Sequence, residues 1–267
     1  MSFAKFIRTI APLAAVAAMG LAVSACDGNI TINGDDGKKL SELDLGGEAP
    51  HKLALFGPDN VKVTQGDKLA ITIDGDAASA DKLRFSLKNG TLAILRAKDW
   101  KEGPSITVNV TMPAPREIAQ MGSGKIEAGA LDKDAKVNLM GSGDVNATAL
   151  AGDKLSLAVM GSGTMHGAGT VKQLDLKVMG SGSADLSAVK ADNADVDILG
   201  SGSASFASDG QVKAKIMGSG TVTVKGRAKC TVKSMGSGSL VCESGPATKT
   251  EGSDDASDEP TAEPSKG

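Results

Sequence analysis

The sequence is poor in aromatic residues: Phe and Trp make up 2% of its 267 residues, and Tyr is absent. Val, Leu, Ala and Met must therefore fill the interior, which suits a thin, repetitive core better than a broad one. Histidine is scarce too, since the chain has only His51 and His166. They form no metal-ligand cluster and no nucleophile–base pair at a recognisable spacing. The sequence therefore predicts no catalytic residue, no metal and no cofactor.

Most of the chain has no excess of positive or negative charge. The formal net charge is −3, but residues 243–267 carry seven acidic side chains against two lysines, and residues 1–25 carry Lys5 and Arg8. Once both ends are subtracted, residues 26–242 are formally neutral. This neutrality gives no electrostatic case for binding nucleic acid. Residues 243–267 have too few apolar side chains to fold and are predicted to be a disordered acidic tail.

The N-terminus has the organisation of an export signal. Lys5 and Arg8 precede an apolar run over residues 10–23 that is too short and wrongly flanked for a membrane span. Residues 21–26, Leu-Ala-Val-Ser-Ala-Cys, resemble the bacterial lipobox, in which the Cys becomes the lipidated first residue. We therefore predict a lipoprotein signal peptide over 1–25, a lipid anchor with palmitate on Cys26 and a tether over 26–47. Ordinary signal cleavage that leaves a free thiol is the alternative.

The anchor predicts a cell-envelope location, in the inner or outer membrane, facing the periplasm or the cell surface. Asp27 follows the predicted lipidated residue. By resemblance to enteric lipoproteins, an Asp at this place favours retention in the inner membrane.

A repeat of about 19 residues organises the second half of the chain. Met-Gly-Ser-Gly recurs seven times, with Leu replacing Met once, at Met121, Met140, Met160, Met179, Leu199, Met217 and Met235. A fixed period of this length indicates a solenoid, in which each turn buries its apolar face only against neighbouring turns. We predict a right-handed parallel β-solenoid over 119–242, an all-β fold with Gly-Ser-Gly corners.

Apolar and polar residues alternate on both sides of each corner, as expected of strands with one buried face. Two inward rows are predicted before the corners: Val137 and Leu139, Leu157 and Val159, Leu176 and Val178, Val196 and Ile198, Ala214 and Ile216. Two more are predicted after the corners: Ile126 and Ala128, Val145 and Ala147, Ala184 and Leu186, Ala204 and Phe206, Val222 and Val224. The residues between them are mostly charged or polar, Asn138 among them, and are predicted to face water.

Residues 48–118 are predicted to form an irregular N-terminal β cap on the solenoid. Six short apolar segments read as strands, Asn89-Gly90 is a hairpin signal, and residues 77–82 suit one helical turn. A cap is expected because an open solenoid end would pair with another edge. Trp100 suits two roles, an exposed contact residue or a cover over the core of the cap.

Four features within residues 45–240 form a specific combination: Gly66-Asp67, Asn89-Gly90-Thr91-Leu92, residues 106–113 and the serial Gly-Ser-Gly corners. Together they resemble the head GIN domain family of auto-transporter adhesins. The resemblance implies a right-handed β-helix-like fold and an exported protein of the cell envelope, and it brings no catalytic or binding residues. One departure is the Met before each corner, a place that in the family is often small or polar.

The row formed by Met121, Met140, Met160, Met179, Leu199, Met217 and Met235 has two main interpretations. Strict alternation puts the row on the outside, where an apolar stripe marks an interaction site. The preferred interpretation is that the backbone turns at the corner and tucks each Met into the core. A copper-binding ladder is a third and less favoured one, because nothing else in the row is a soft ligand.

Cys230 and Cys242 both fall on inward positions of the last coil, on either side of its corner. In an oxidising compartment a disulfide between them would staple the end of the solenoid. Two buried free thiols are the alternative, since the sequence does not show how closely the two Cα atoms approach.

These features predict a non-catalytic adhesin-like module that is anchored to a membrane and binds an envelope protein or glycan. One alternative is a polysaccharide-acting enzyme on a β-helix, which would gather carboxylates in one groove. A second alternative is a self-assembling structural envelope protein.

Overall fold

The computed structural model describes residues 23–26, 29–32 and 36–244. Among these residues strands dominate, and the helical elements are a 3₁₀ turn (Leu40–Glu42) and α1 (Ala77–Ala80). Nearly all of the predicted signal peptide and all but the first two residues of the predicted tail lie outside the described residues. The described residues contain no helix that is long and apolar enough to cross a membrane.

The strands fall into three groups along the chain. A short antiparallel pair is formed by β1 (Val23–Cys26) and β2 (Asn29–Ile32). The segment before the Gly-Ser-Gly corners contains β3 (Lys52–Phe56), β4 (Asn60–Gln65), β5 (Ala70–Asp74), β6 (Leu83–Lys88), β7 (Thr91–Arg96) and β8 (Thr107–Met112). The repeats form β9 (Glu117–Gly122), β10 (Lys125–Ala128), β11 (Asp134–Gly141), β12 (Asp144–Gly161), β13 (Thr164–Gly180), β14 (Ser183–Gly200), β15 (Ser203–Ser208), β16 (Gln211–Gly218), β17 (Thr221–Gly226), β18 (Lys229–Met235) and β19 (Ser239–Ser244).

The seven Gly-Ser-Gly coils stack in parallel and in register. Each coil places its residues directly over the equivalent residues of the coil before it, so that Gly141 pairs with Gly122 on one side and with Gly161 on the other. The long strands β12, β13 and β14 each run from one corner to the next. The predicted β-solenoid is therefore confirmed.

The predicted inward rows form the core. All twenty side chains named for these rows are buried, from Ile126 to Val224. They join one continuous hydrophobic cluster through the length of the stack. Alternation predicted this correctly because strand side chains point to opposite faces in turn.

The N-terminal segment, predicted to be an irregular cap on the solenoid, contributes four strands to the stack itself. The β3–β4 layer pairs in parallel with β9 and β10, and the β7–β8 layer pairs in parallel with β3 and β4. Gly57 occupies the corner of the β3–β4 layer, where the backbone N–H of Gly124 donates to its carbonyl. The solenoid therefore begins two layers before the first Gly-Ser-Gly corner.

Two antiparallel strands border the first layer. β6 pairs with β7 through the predicted hairpin at Asn89-Gly90, where both residues have positive φ. β5 pairs with β8, and α1 lies between β5 and β6 with the Asp76 carboxylate accepting from the Ser79 N–H. β5 and β6 run antiparallel to the strands they border, so the strands exposed at this end of the stack run opposite to the first layer.

The first glycine of each corner has a backbone conformation that other residues rarely adopt. Gly161 has φ of +121°, and a Cβ placed on it would lie 2.4 Å from the Gly141 carbonyl oxygen of the layer below. The positive φ and the close carbonyl oxygen have the same cause, because the chain bends at this glycine while its backbone stays at ladder distance from the layer below. Neighbouring corners have similar φ values and contacts.

We expect Gly161→Ala to lower the free energy of unfolding by about 1–3 kcal/mol, because the added Cβ meets both a strained φ and a fixed backbone oxygen. Urea unfolding followed by circular dichroism measures the change. Gly47→Ala is the matched control, because a Cβ at Gly47 meets nothing within 4 Å. Equal stability of the two variants would contradict the steric account of the corner.

Candidate interaction surface

The seven residues before the corners form a column on the outside of the solenoid, here called the methionine column: Met121, Met140, Met160, Met179, Leu199, Met217 and Met235. None belongs to the buried core. Leu199 is 37% exposed and Met235 is 66% exposed, while the other five are half-buried. The preferred interpretation, that the corner tucks these side chains inside, is wrong.

The column lies outside because the strand continues past each Met. In the second coil Met140 remains in the ladder, paired with Met160, and the chain bends only from Gly141, which has positive φ. Alternation therefore still holds at the Met, which stays in phase with the outward residues. With about 4.8 Å between layers, the column places an apolar side chain at each step along the solenoid.

The column continues into the two earlier layers. Phe56 pairs with Met121 in register, and Leu95 lies in the next layer. Both belong to a second apolar cluster on the outer face, which Met121 joins: Ala54, Phe56, Ala93, Leu95 and Ala119. Sequence reasoning missed this extension, although Phe56-Gly57 repeats the apolar–glycine pair that begins each later corner. The column is thus buried at its first end and open at its last.

Charged residues border the open part of the column. The residue two positions before each of the last four column residues lies on the same outer face and is charged: Lys177, Asp197, Lys215 and Lys233. On the other side each corner presents an exposed serine. The open part is therefore a narrow apolar stripe between a charged row and a hydroxyl row, an arrangement typical of contact surfaces with a polar rim.

Asn138 is an exception among the outward residues. It lies on the outer face as predicted, but it is only 2% exposed instead of facing water. Its Nδ2 is 3.5 Å from Oε1 of the buried Glu117, and Lys136 lies 3.5 Å from the same carboxylate oxygen. The outer face is therefore packed in the early layers, where its central residues are small or apolar.

Two aspartates meet on adjacent coils of the same face. Asp175 and Asp195 pair in register, and the Gln173 side-chain amide donates to both, at 3.0 and 3.3 Å. Partial burial acts to raise the pKa of Asp175, but hydrogen bonds from Lys154 and Gln173 outweigh it, so the pKa lies below its usual value. A carboxylate held ionised in this way is unsuited to act as a general acid.

His166 and Asp185 also meet across one layer, with Nδ1 3.6 Å from the carboxylate. The hydroxyls of Ser187 and Ser205 donate to Asp185 rather than to the imidazole. The Ser187 hydrogen bond is the main cause that lowers the pKa of Asp185. This arrangement lacks a serine aimed at a base, which nucleophilic catalysis requires. His51 is not part of it, and among residues 36–243 no three His, Cys, Asp or Glu side chains gather as metal ligands.

Trp100 covers a buried ion pair at the first layers. The Arg96 guanidinium lies 4.9 Å from the centre of the Trp100 ring, and its Nε donates to the fully buried Asp59 carboxylate at 2.7 Å. Asp59 also accepts from the Ile106 N–H at 3.0 Å, which ties the loop after β7 to the corner after β3. The half-buried indole therefore packs on the Arg96–Asp59 ion pair, which differs from both predicted roles, an exposed contact residue and a cover over the core of the cap.

The last coil ends the described stack with a covalent cross-link. Cys230 and Cys242 are joined by a disulfide with 6.7 Å between their Cα atoms. Val232 occupies an inward position here, yet it is 46% exposed because no further coil covers it among the described residues. The disulfide spans the interior at the point where the core opens to solvent.

Comparison with known proteins agrees with this architecture. The family described as "Putative auto-transporter adhesin, head GIN domain" matches residues 49–228, which ends before β18. The chain matches no curated protein closely enough to be called a relative.

Three solved structures are similar in fold. A Bacteroides fragilis protein described as a "putative adhesin" has a TM-score of 0.69 and 20% identity over 73% of this chain and 93% of its own. A Parabacteroides distasonis protein described as a "putative lipid binding protein" has a TM-score of 0.58 and 24% identity over 73% and 93%. A "putative adhesin" of Parabacteroides merdae has a TM-score of 0.58 and 21% identity over 73% and 92%.

We expect the double variant Cys230→Ala with Cys242→Ala to destabilise the last coil by about 2–3 kcal/mol, because the cross-link closes a short loop in the unfolded chain. Hydrogen exchange measured by mass spectrometry should become faster in β18 and β19. Exchange in β12 and β13 is the internal control and should stay unchanged. Unchanged protection of the last coil would contradict a stapling role.

Proposed function

The chain belongs to the family "Putative auto-transporter adhesin, head GIN domain", and we propose that it is a non-catalytic, adhesin-like binding module of the cell envelope. Its binding surface is the open part of the methionine column with the charged row beside it. The partner is an envelope protein or glycan.

The observation that carries this proposal is the exposure of an in-register apolar row on the outer face of the solenoid. A stack of this kind needs only its inward rows for stability, since those rows already form the continuous core. The half-exposed Met160, Met179 and Met217 add little to that core. Flexible, polarisable Met side chains suit a surface that adapts to a partner.

The side chains that resemble catalytic groups support binding rather than turnover. Asp175 is paired with Lys154 at 2.5 Å, and its lowered pKa opposes proton donation. Glycoside hydrolysis needs one carboxyl group with a raised pKa beside an ionised one. Asp175, whose pKa is lowered, does not supply the carboxyl group with a raised pKa.

The predicted lipid anchor at the N-terminus determines which end of the solenoid lies near the membrane. We propose that Cys26 carries the lipid anchor and that the following residues connect it to the first layers of the stack. Lys38 forms a bridge with Phe85 of β6, so the chain enters the solenoid at the end opposite β18 and β19. The anchored end and the open end of the methionine column thus lie at opposite ends of the solenoid.

We expect the double variant Met160→Ser with Met179→Ser to bind envelope fractions at least tenfold more weakly, because it removes adjacent apolar contacts from the centre of the open column. Surface plasmon resonance with the immobilised variant measures binding. Val241→Ser is the matched control, since Val241 is 46% exposed but lies on another face. Equal binding by the wild-type chain and the double variant would remove the column as the contact surface.

We expect Cys26→Ser to abolish membrane association, because the anchor needs the thiol to carry its first acyl chains. Fractionation of cells that express each form, with metabolic palmitate labelling, measures the effect. Cys230→Ser is the control for replacing a cysteine elsewhere in the chain and should stay in the membrane fraction. Retention of the Cys26→Ser chain in the membrane would show that the anchor is elsewhere.

A further inference from the structure

The last two layers of the solenoid are strongly cationic. Residues 211–244 contain six basic side chains and one acidic side chain, Glu243, a formal charge of +5. All six are exposed. They surround the end of the stack on its faces and corners: Lys213, Lys215, Lys225, Arg227, Lys229 and Lys233. We call this set the cationic end.

Most of this charge lacks a counter-ion among the described residues. Lys215 is 3.8 Å from Asp197, and Arg227 is 3.8 Å from Asp209, both long contacts between exposed groups. Among residues 36–243, Lys213 and Lys225 face Asp195 and Glu243 in register without forming an ion pair, while Lys229 and Lys233 face no carboxylate. Screened surface contacts contribute little, so the excess of five positive charges in the last two layers is only partly compensated.

The ladder also stacks like charges. Lys215 and Lys233 pair in register on adjacent layers, at the spacing of about 4.8 Å that separates parallel strands. Like charges directly opposite each other destabilise a sheet. An anionic group beside both lysines would relieve that repulsion.

The chain itself supplies such a group at this place. Residues 245–267 follow β19 directly and carry six acidic side chains against two lysines, with all six acidic residues between 251 and 263. They stand 7 to 19 residues beyond Ser244. A random-coil chain of 7 to 19 residues spans roughly 15–25 Å, enough to reach both outer layers. The connection gives the segment an effective concentration on the order of millimolar.

We propose that residues 251–263 dock on the cationic end of their own solenoid. The contact is electrostatic and neutralises the stacked lysines. It also covers the exposed edge strands β18 and β19, a role that loops and charges commonly have at the end of a sheet. Two bare cationic ends would repel each other, so end-to-end pairing of two solenoids is opposed by the same charges. The proposal does not depend on the methionine column.

Zero-length carbodiimide cross-linking of the detergent-solubilised full chain tests the contact, because it joins a carboxylate to a lysine only where the two groups touch. At about 50 mM salt we expect cross-links from residues 251–263 to Lys213, Lys215, Lys225, Lys229 or Lys233, at least fivefold above those to the exposed Lys62, Lys68 and Lys101. They should disappear at about 0.5 M salt, where charge interactions are screened within a few ångströms.

A mixture of isotopically light and heavy chains separates cross-links within one chain from those between chains. Cross-links spread evenly over all exposed lysines, or formed mainly between chains, would overturn the proposal.

A second measurement uses a variant whose folding is not in question, since it changes only the tail. Replacing the six acidic residues with Asn or Gln (Glu251→Gln, Asp254→Asn, Asp255→Asn, Asp258→Asn, Glu259→Gln and Glu263→Gln) should free the cationic end. We expect this variant to bind poly-L-glutamate at least tenfold more tightly than the wild-type chain. Adding Lys213→Gln, Lys225→Gln, Lys229→Gln and Lys233→Gln should remove the gain. Equal binding by wild type and the tail variant would show that the tail does not occupy the site.

Discussion

In-register stacking governs this structure, because each coil buries its apolar residues only against the coils before and after it. The backbone ladder sets the spacing between layers, and every row of side chains then repeats at that spacing. The corners must bend without breaking the ladder, which is why glycines with positive φ recur where the carbonyl of the layer below leaves no room for a Cβ. Rows on the outside, whether apolar, cationic or hydroxylated, follow from the same register.

This constraint explains why so much of the fold could be predicted from the sequence. The 19-residue period and the alternation around each corner correctly identified the buried rows, because both signals record the same stacking. The preferred interpretation of the methionine column as internal is wrong, and the sequence does not show whether the bend comes before or after residues such as Met140. The Arg96–Asp59 ion pair was invisible because it joins segments that share no repeat, and the parallel pairing of β3 with β9 is marked in the sequence only by the Phe56-Gly57 pair.

The outer surface changes character from one end of the stack to the other. At the first layers Phe56, Leu95 and their neighbours pack into a second apolar cluster, whereas at the last layers the equivalent column is open and its neighbours are lysines. The predicted anchor enters at the packed end. The proposed contact surface therefore lies away from the predicted anchor, at the same end of the stack as the proposed docking site of the acidic segment.

The central claim is that the register keeps the residue before each corner outside while the alternate positions remain inside, and the methionines themselves report on it. Limited oxidation of the folded chain by hydrogen peroxide, followed residue by residue with mass spectrometry, should oxidise Met235 fastest and Met160 and Met179 at intermediate rates. Met112 and Met165, both fully buried, should oxidise slowest. Met160 and Met165 are only five residues apart, so oxidation of both at the same rate in the folded chain would contradict the alternation on which the whole account depends.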